Sequence, residues 1–269
     1  MIIHNFDPVL VDFGFLEIRW YSLAYIFGVI GGWIYSIKII KHITYNDFNF
    51  KSIKPKDFDD LIIYIVIGII IGGRLGYIFF YNLTYYTQNP LEIIKVWEGG
   101  MSFHGGVTGV IVSIIIFSYN TKTNFFKLSD IVSCAAPIGI FFGRIANFIN
   151  GELYGKVSNV PWAVIFPNIG DLARHPSQIY EALLEGVFLF VLINYLAFKK
   201  KLIFKSGYIS CLFIIFYSIL RIFSEFFREP DLHLGHFFNF LSMGSLLSII
   251  FLFLAFLTLL FLKGNGKNN

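Results

Sequence analysis

The chain has 269 residues, of which 56% are hydrophobic, 19% aromatic and 14% charged, and its net charge is +4. Soluble domains carry about 25% charged residues, so this chain has too little charge to coat a water-soluble surface and too much apolar side chain to hide inside one. Disorder, collagen, coiled coil and a disulfide scaffold are excluded on the same counts, and the small, dispersed charge excludes a nucleic-acid surface. What remains is an all-α integral membrane protein.

In chain order, residues 1–20 hold Asp7, Pro8, Asp12 and Glu17 and have no basic segment before an apolar core. They predict an outer interfacial arm and no cleavable signal peptide. A spanning helix needs about 20 mostly apolar residues. Seven stretches reach that length: Tyr21–Ile40, Phe58–Tyr81, Phe103–Tyr119, Ser129–Phe148, Gln178–Phe198, Gly207–Phe227 and Phe237–Leu262. One seven-helix membrane domain therefore covers 21–262, followed by a short cytoplasmic tail at 263–269. A basic loop is expected at 41–57. The Pro- and Gly-containing stretch from Asn150 to Ser177, between helices 4 and 5, contains PWAVIF (161–166), which predicts a short strand or hairpin over the helices. Cys134 and Cys211 lie in apolar runs and are expected to be ordinary buried residues.

Lysine and arginine in the short loops set the orientation. With the N-terminus outside, 13 lysines fall inside, against five basic residues outside (Arg19, Lys95, Lys156, Arg174 and Arg228). This bias predicts N-terminus out and C-terminus in. The remaining basic residues, Arg74, Arg144 and Arg221, fall within spans, so no arginine serves the inner surface. Arginine supplies a planar fork that pairs with carboxylate or phosphate. In this orientation Arg74, Arg144, Asn147, Arg221, Glu225, Arg228, Trp20, Tyr21 and His104 all fall toward the outer ends of their helices. An unpaired charge at a helix centre costs roughly 2.5–3.5 kcal/mol. The placement therefore predicts one polar, outward-opening site, with arginines in excess of acids and a phosphate as the natural anion. The bland alternative is that Arg221 and Glu225, at i and i+4, simply pair with each other.

Three clusters carry the polar residues. In GRIANFINGELYG (143–155), Arg144 and Asn147 share a helical face, and Asn150, Gly151 and Gly155 predict a break into a loop carrying Glu152. A capped helix end would read the same way. In GGMSFHGG (99–106), His104 opens the third span; it is either a proton acceptor or a hydrogen-bonded structural residue. In RHPSQIYEALLEG (174–186), His175 precedes a span, and Glu181 and Glu185 are either a cap or an inter-helix hydrogen-bonding pair. HExxH, GxSxG and Walker patterns do not occur, and no acidic pair has metal spacing, which leaves an arginine-based site expected to need neither metal nor cofactor. An anion or phospholipid-headgroup transporter is the competing class. It requires polar residues in the inner halves of several spans, and those halves are almost wholly apolar, as in Leu61–Ile67.

GRIANFINGELYG resembles the signature of the prolipoprotein diacylglyceryl transferase family. RWYSLAYIFG (19–28), GGRLGYIFFY (72–81), GGMSFHGG, RHPSQIYEALLEG and RIFSEFFREPD (221–231) follow in family order. Ser22 stands where glycine is common in the family. The resemblance implies a bacterial inner-membrane enzyme with its active site toward the outer leaflet. It would move the diacylglyceryl group of phosphatidylglycerol to the thiol of the lipobox cysteine in a prolipoprotein signal peptide, releasing glycerol 1-phosphate. It also implies Arg144 and Arg221 as holders of the phosphate and His104 as acceptor of the thiol proton, with His175, Glu152 or Tyr21 as substitutes for His104. Tyr21, Arg74, Asn147, Glu152, Gly155, His175, Glu225 and Arg228 would shape the substrate pocket.

Overall fold

The computed structural model describes residues 2–14, 17–46, 53–96, 99–229 and 242–265. Among the described residues, seven helices are long and apolar enough to cross a bilayer: Trp20–Tyr45, Pro55–Tyr81, Phe103–Thr121, Phe125–Ile149, Ser177–Lys199, Tyr208–Glu225 and Met243–Gly264. The protein is thus a multi-pass membrane protein with the seven expected spans. Helix α1 (Trp20–Asn46) runs past the expected end at Ile40, so residues 41–46 are helical and not part of a loop. No glycine or proline interrupts them, Ile43 is buried, and Thr44 donates to the Ile40 carbonyl. Helix α2 (Pro55–Tyr81) starts where Pro55 needs no amide partner and the Asp57 carboxylate accepts from the Lys54 amide. Residues 237–241 of the expected last span lie outside the described residues. Helix α9 (Met243–Asn265) follows Ser242, whose hydroxyl accepts from the Ser245 amide.

The chain divides into two compact units, Trp33–Val132 and Met1–Gly32 with Ser133–Asn269. In the first, α2 packs on α4 (Phe103–Thr121) through glycines. Gly68 and Gly72 of α2 face Gly105 and Gly109 of α4, and a Cβ at any of the four would strike backbone of the other helix. Close backbone approach of this kind replaces the hydrophobic drive that lipid cannot supply between helices. Ser113 adds a hydrogen bond to the Tyr64 carbonyl, 2.7 Å away.

In the second unit, the fifth span is irregular. It begins as α6 (Ser177–Glu181), widens into a π-helical turn at Ala182–Phe188, resumes as α7 (Leu189–Asn194) and ends in another π turn at Tyr195–Lys199. Leu189, Ile193 and Ala197 of this span are fully buried. On α8 (Tyr208–Glu225) Ile209, Cys211 and Tyr217 are buried; Cys134, on α5 (Phe125–Ile149), is buried as well, and both cysteines are free thiols. Outside the spans, the 150–177 region does form strands. β4 (Val164–Ile165) pairs antiparallel with β5 (Ala173–Arg174) and parallel with β1 (Ile2–Ile3), while β2 (Val9–Asp12) and β3 (Glu17–Arg19) form a separate hairpin.

Candidate active site

The unit containing α5 and α8 holds a buried cluster of three arginines and three glutamates. Arg144, on α5, places Nε 3.0 Å from Glu181 and Nη2 3.1 Å from Glu185. Arg221, on α8, gives Nη1 to Glu181 and sets Nη2 2.8 Å from Glu225, one turn further along the same helix. Arg228 brings Nη1 to 3.9 Å from Glu181. Glu181 and Glu185 are both completely buried, and Ser224 donates to Glu185 while Ser242 donates to Glu225. The expected excess of arginine over acid is therefore corrected within this cluster, where charge balances three to three. The in-helix pairing of Arg221 with Glu225 does occur, but Arg221 also spans to the fifth span, so it is part of a network. Among the described residues, Nη1 of Arg144 and Nε of Arg221 meet no hydrogen-bond acceptor. Each guanidinium thus has two nitrogens facing carboxylate and one nitrogen left over.

The chain around 147–155 is built from the end of α5. The helix reaches Ile149, so Arg144 and Asn147 do share its face. Gly151 then takes φ +67°, a left-handed conformation glycine adopts without strain. The turn brings Glu152 back, where its Oε1 accepts from the Asn147 side-chain amide at 2.7 Å. Leu153 is also left-handed, at φ +57°, with its carbonyl accepting from the Ser177 hydroxyl. The Gln178 side chain donates to the Glu152 carbonyl. Gly155 fits where any Cβ would meet the His175 and Phe227 carbonyls, and its own carbonyl accepts from Arg174, which also pairs with Glu229 at 3.1 Å. Tyr21, at the start of α1, stacks on Tyr25 with ring centroids 5.1 Å apart and has Glu152 and Arg144 in its electrostatic surroundings.

His175 lies outside the spans in a chain of three aromatic side chains. Trp162 Nε1 donates to the Tyr180 hydroxyl at 2.6 Å, and that hydroxyl stands 3.1 Å from His175 Nδ1. Indole can only donate, so the phenol oxygen accepts from it and keeps a second lone pair and its own proton for the contact with Nδ1. The contact holds with either tautomer of the neutral ring. Burial lowers the His175 pKa from its ordinary value and so favours that neutral form.

Arg74 and His104 belong to the other unit. Arg74 is 4% exposed and makes a backbone clasp: Nε donates to the Ile93 carbonyl at 2.9 Å, Nη2 to Glu92 and Nη1 to Gly99, with the guanidinium 4.9 Å from the Tyr86 ring centre. The segment it clasps leads to Ser102, whose amide donates to the Gly73 carbonyl and whose hydroxyl caps α4 by accepting from Gly105. His104 is buried in the first turn that this cap creates.

Of the two sequence readings of Glu181 and Glu185, the inter-helix hydrogen-bonding one is formed, though neither residue was placed in the site. Their signal was two acids four apart at the start of an otherwise apolar span; their partners, 40 or so residues away, left no mark in the local pattern.

The sequence profile of the prolipoprotein diacylglyceryl transferase family matches residues 8–261. Among curated relatives, the phosphatidylglycerol–prolipoprotein diacylglyceryl transferase of Rickettsia bellii (strain OSU 85-389) is 49% identical over 255 residues, covering 95% of each chain. Those of Rickettsia felis and Rickettsia typhi, carrying the same name, are 48% and 47% identical over 256 residues, each covering 95% of this chain and 96% of their own. With near-complete coverage at this identity, and with the 143–155 signature forming the turn described above, the chain belongs to the prolipoprotein diacylglyceryl transferase family.

Proposed function

We propose that this protein transfers the diacylglyceryl group of phosphatidylglycerol to the lipobox cysteine thiol of a prolipoprotein signal peptide. In this reaction the cysteine loses its proton, and the thiolate attacks the glycerol CH2 that carries the phosphate ester. The S–C bond forms as the C–O bond breaks, and glycerol 1-phosphate departs with the electron pair on its phosphate oxygen. The observation that carries the reading is the buried Arg144–Arg221 pair in a member of this family, each arginine keeping a guanidinium nitrogen that no carboxylate faces.

Arg144 and Arg221 hold the phosphate and stabilise charge that grows on it as the C–O bond lengthens. Asn147 and Glu152, already bonded to each other, orient the glycerol hydroxyls. Glu225 keeps Arg221 in place, and Arg228 extends the positive rim. Tyr21 lies in the electrostatic surroundings of Glu152 and Arg144. Gly155 lets the 150–177 loop close against His175 and Phe227. His175 borders the substrate region through its contacts with Tyr180 and Phe227. His104 is the acceptor of the thiol proton by virtue of its chemistry and its glycine-flanked setting, since only the thiolate is an effective nucleophile. Arg74 supports substrate binding through the backbone it clasps.

The lysine bias supports an N-terminus outside and a C-terminus inside, with the site toward the outer leaflet of a bacterial inner membrane. The seven-span body over 21–262 is the catalytic part, 1–20 an interfacial arm and 263–269 a cytoplasmic tail. The test is a liposome assay combining purified protein, phosphatidylglycerol and a peptide bearing a lipobox cysteine. Thioether product with released glycerol 1-phosphate, abolished in Arg144→Ala, is expected. Absence of product from folded wild-type protein would overturn the reading, and anion flux into the liposomes would then favour a transporter.

A further inference from the structure

We propose that Glu181, seconded by Glu185, is the positioning residue of the arginine pair and also drives out the product phosphate. The proposal deepens the transfer reading and rests on it. Glu181 divides its two oxygens among three arginines: Oε2 faces Arg144, while Oε1 faces Arg221 and Arg228. Glu185 repeats the bridge between Arg144 and Arg221 at 3.1 and 3.7 Å. Both carboxylates bridge arginines of α5 and α8, and so fix the relative placement of the two guanidinium groups.

The backbone is shaped for this. The π turn at Ala182–Phe188 begins directly after Glu181 and contains Glu185. π turns inside helices are uncommon and concentrate at functional sites. Here the wider turn accompanies two carboxylates buried side by side among cations. Burying two acids costs several kcal/mol per ion unless geometry and partners repay it. Yet one oxygen of Glu181, Oε2, has no aligned hydrogen bond despite its ion-pair contact. An arrangement serving stability alone would be expected to satisfy that atom.

Charge gives the second half of the argument. The three glutamates neutralise the arginines when no substrate is bound. Phosphatidylglycerol brings a phosphodiester with one negative charge, and the departing glycerol 1-phosphate carries nearly two above neutral pH. Repulsion from fixed carboxylates scales with ligand charge. Glu181 therefore disfavours the product more than the substrate and promotes its release, while holding the forks that accept both.

The experiment uses full-length protein in liposomes at pH 8, comparing wild type with Glu181→Gln. It measures kcat, the KM for phosphatidylglycerol and the inhibition constant of glycerol 1-phosphate. With the anchor weakened, kcat falls on the order of 100-fold, the loss that follows a displacement of about 1 Å in reacting groups. Both ligands bind more tightly, and the fold-tightening for the dianion is roughly the square of that for the monoanion. A lower kcat with unchanged KM and inhibition constant would mean fewer folded molecules and overturn the proposal, as would an unchanged kcat. If Glu181→Gln does not fold, Glu181→Asp serves instead. It keeps the charge but withdraws the carboxylate, so kcat falls while the ratio of inhibition constant to KM stays at the wild-type value; a changed ratio or a wild-type kcat overturns the proposal. Loss of product from wild type itself would instead sink the transfer reading.

Discussion

Two buried arginines in this protein are satisfied in opposite ways. Arg74 spends its donors on neutral carbonyls of residues 92, 93 and 99. Arg144 lies against two carboxylates and retains an unspent Nη1. A carbonyl has no charge to give up, so the Arg74 clasp holds backbone and carries its full positive charge. The Arg144 cluster is electrically balanced, so a ligand that enters changes the balance and is felt by every member. One arginine organises chain, and the other is arranged to respond to an anion.

Arg144→Ala breaks the balanced side and has the largest expected effect. It strands Glu181 and Glu185 near one fewer cation, so transfer activity disappears and unfolding in detergent becomes easier by about 3–5 kcal/mol. Activity close to wild type in a folded Arg144→Ala protein would contradict the cluster's assigned role. On the side of Arg74, Gly105→Val forces a side chain into the backbone of α2. Over-packing costs about 1–3 kcal/mol, and thermal unfolding should show it while the inhibition constant for glycerol 1-phosphate in surviving protein stays unchanged.

Arg74→Lys sharpens the contrast more gently. Lysine keeps the charge but cannot span three carbonyls, and each acceptor left unmade costs about 1–3 kcal/mol when buried. Faster proteolytic cleavage near residues 90–100 is expected, with substrate affinity affected less than by the same exchange at Arg144. The smallest effect belongs to His175. Its folded pKa is lowered, so below its ordinary value near 6.5 the unfolded chain binds a proton that the folded chain resists. Its contribution is present above that pH and is lost as pH falls through and below it. Thermal midpoints measured from pH 8 to 5 should decline less steeply in His175→Gln than in wild type.

How legible the molecule was depends on the range of each interaction. The seven spans, the shared face of Arg144 and Asn147, the turn returning Glu152 and the strands within 150–177 rest on local pattern: apolar length, helical spacing, glycine and a β-rich hexamer. The continuation of α1 to Asn46 was missed because basic residues read as loop, whereas a helix can carry them at its end while burying Ile39, Ile40 and Ile43. The Arg74 clasp was invisible because its acceptors are carbonyls, which every residue has. The Glu181–Arg221 bridge escaped because an acid in an apolar span announces that it needs a partner without naming which one.

The parallel pairing of Ile2–Ile3 with Val164–Ile165, and the bond from His4 to the Phe148 carbonyl across 144 residues, carry a consequence for biosynthesis. At about 5–20 residues per second, the ribosome needs roughly 7–30 s to make the intervening chain. The first strand therefore emerges as an orphan and waits through the insertion of four helices before its partner exists. Ser177 and Gln178, which bond to the carbonyls of the turn carrying Glu152, emerge later still, so assembly of this region is timed by the slowest arrival and not by the first.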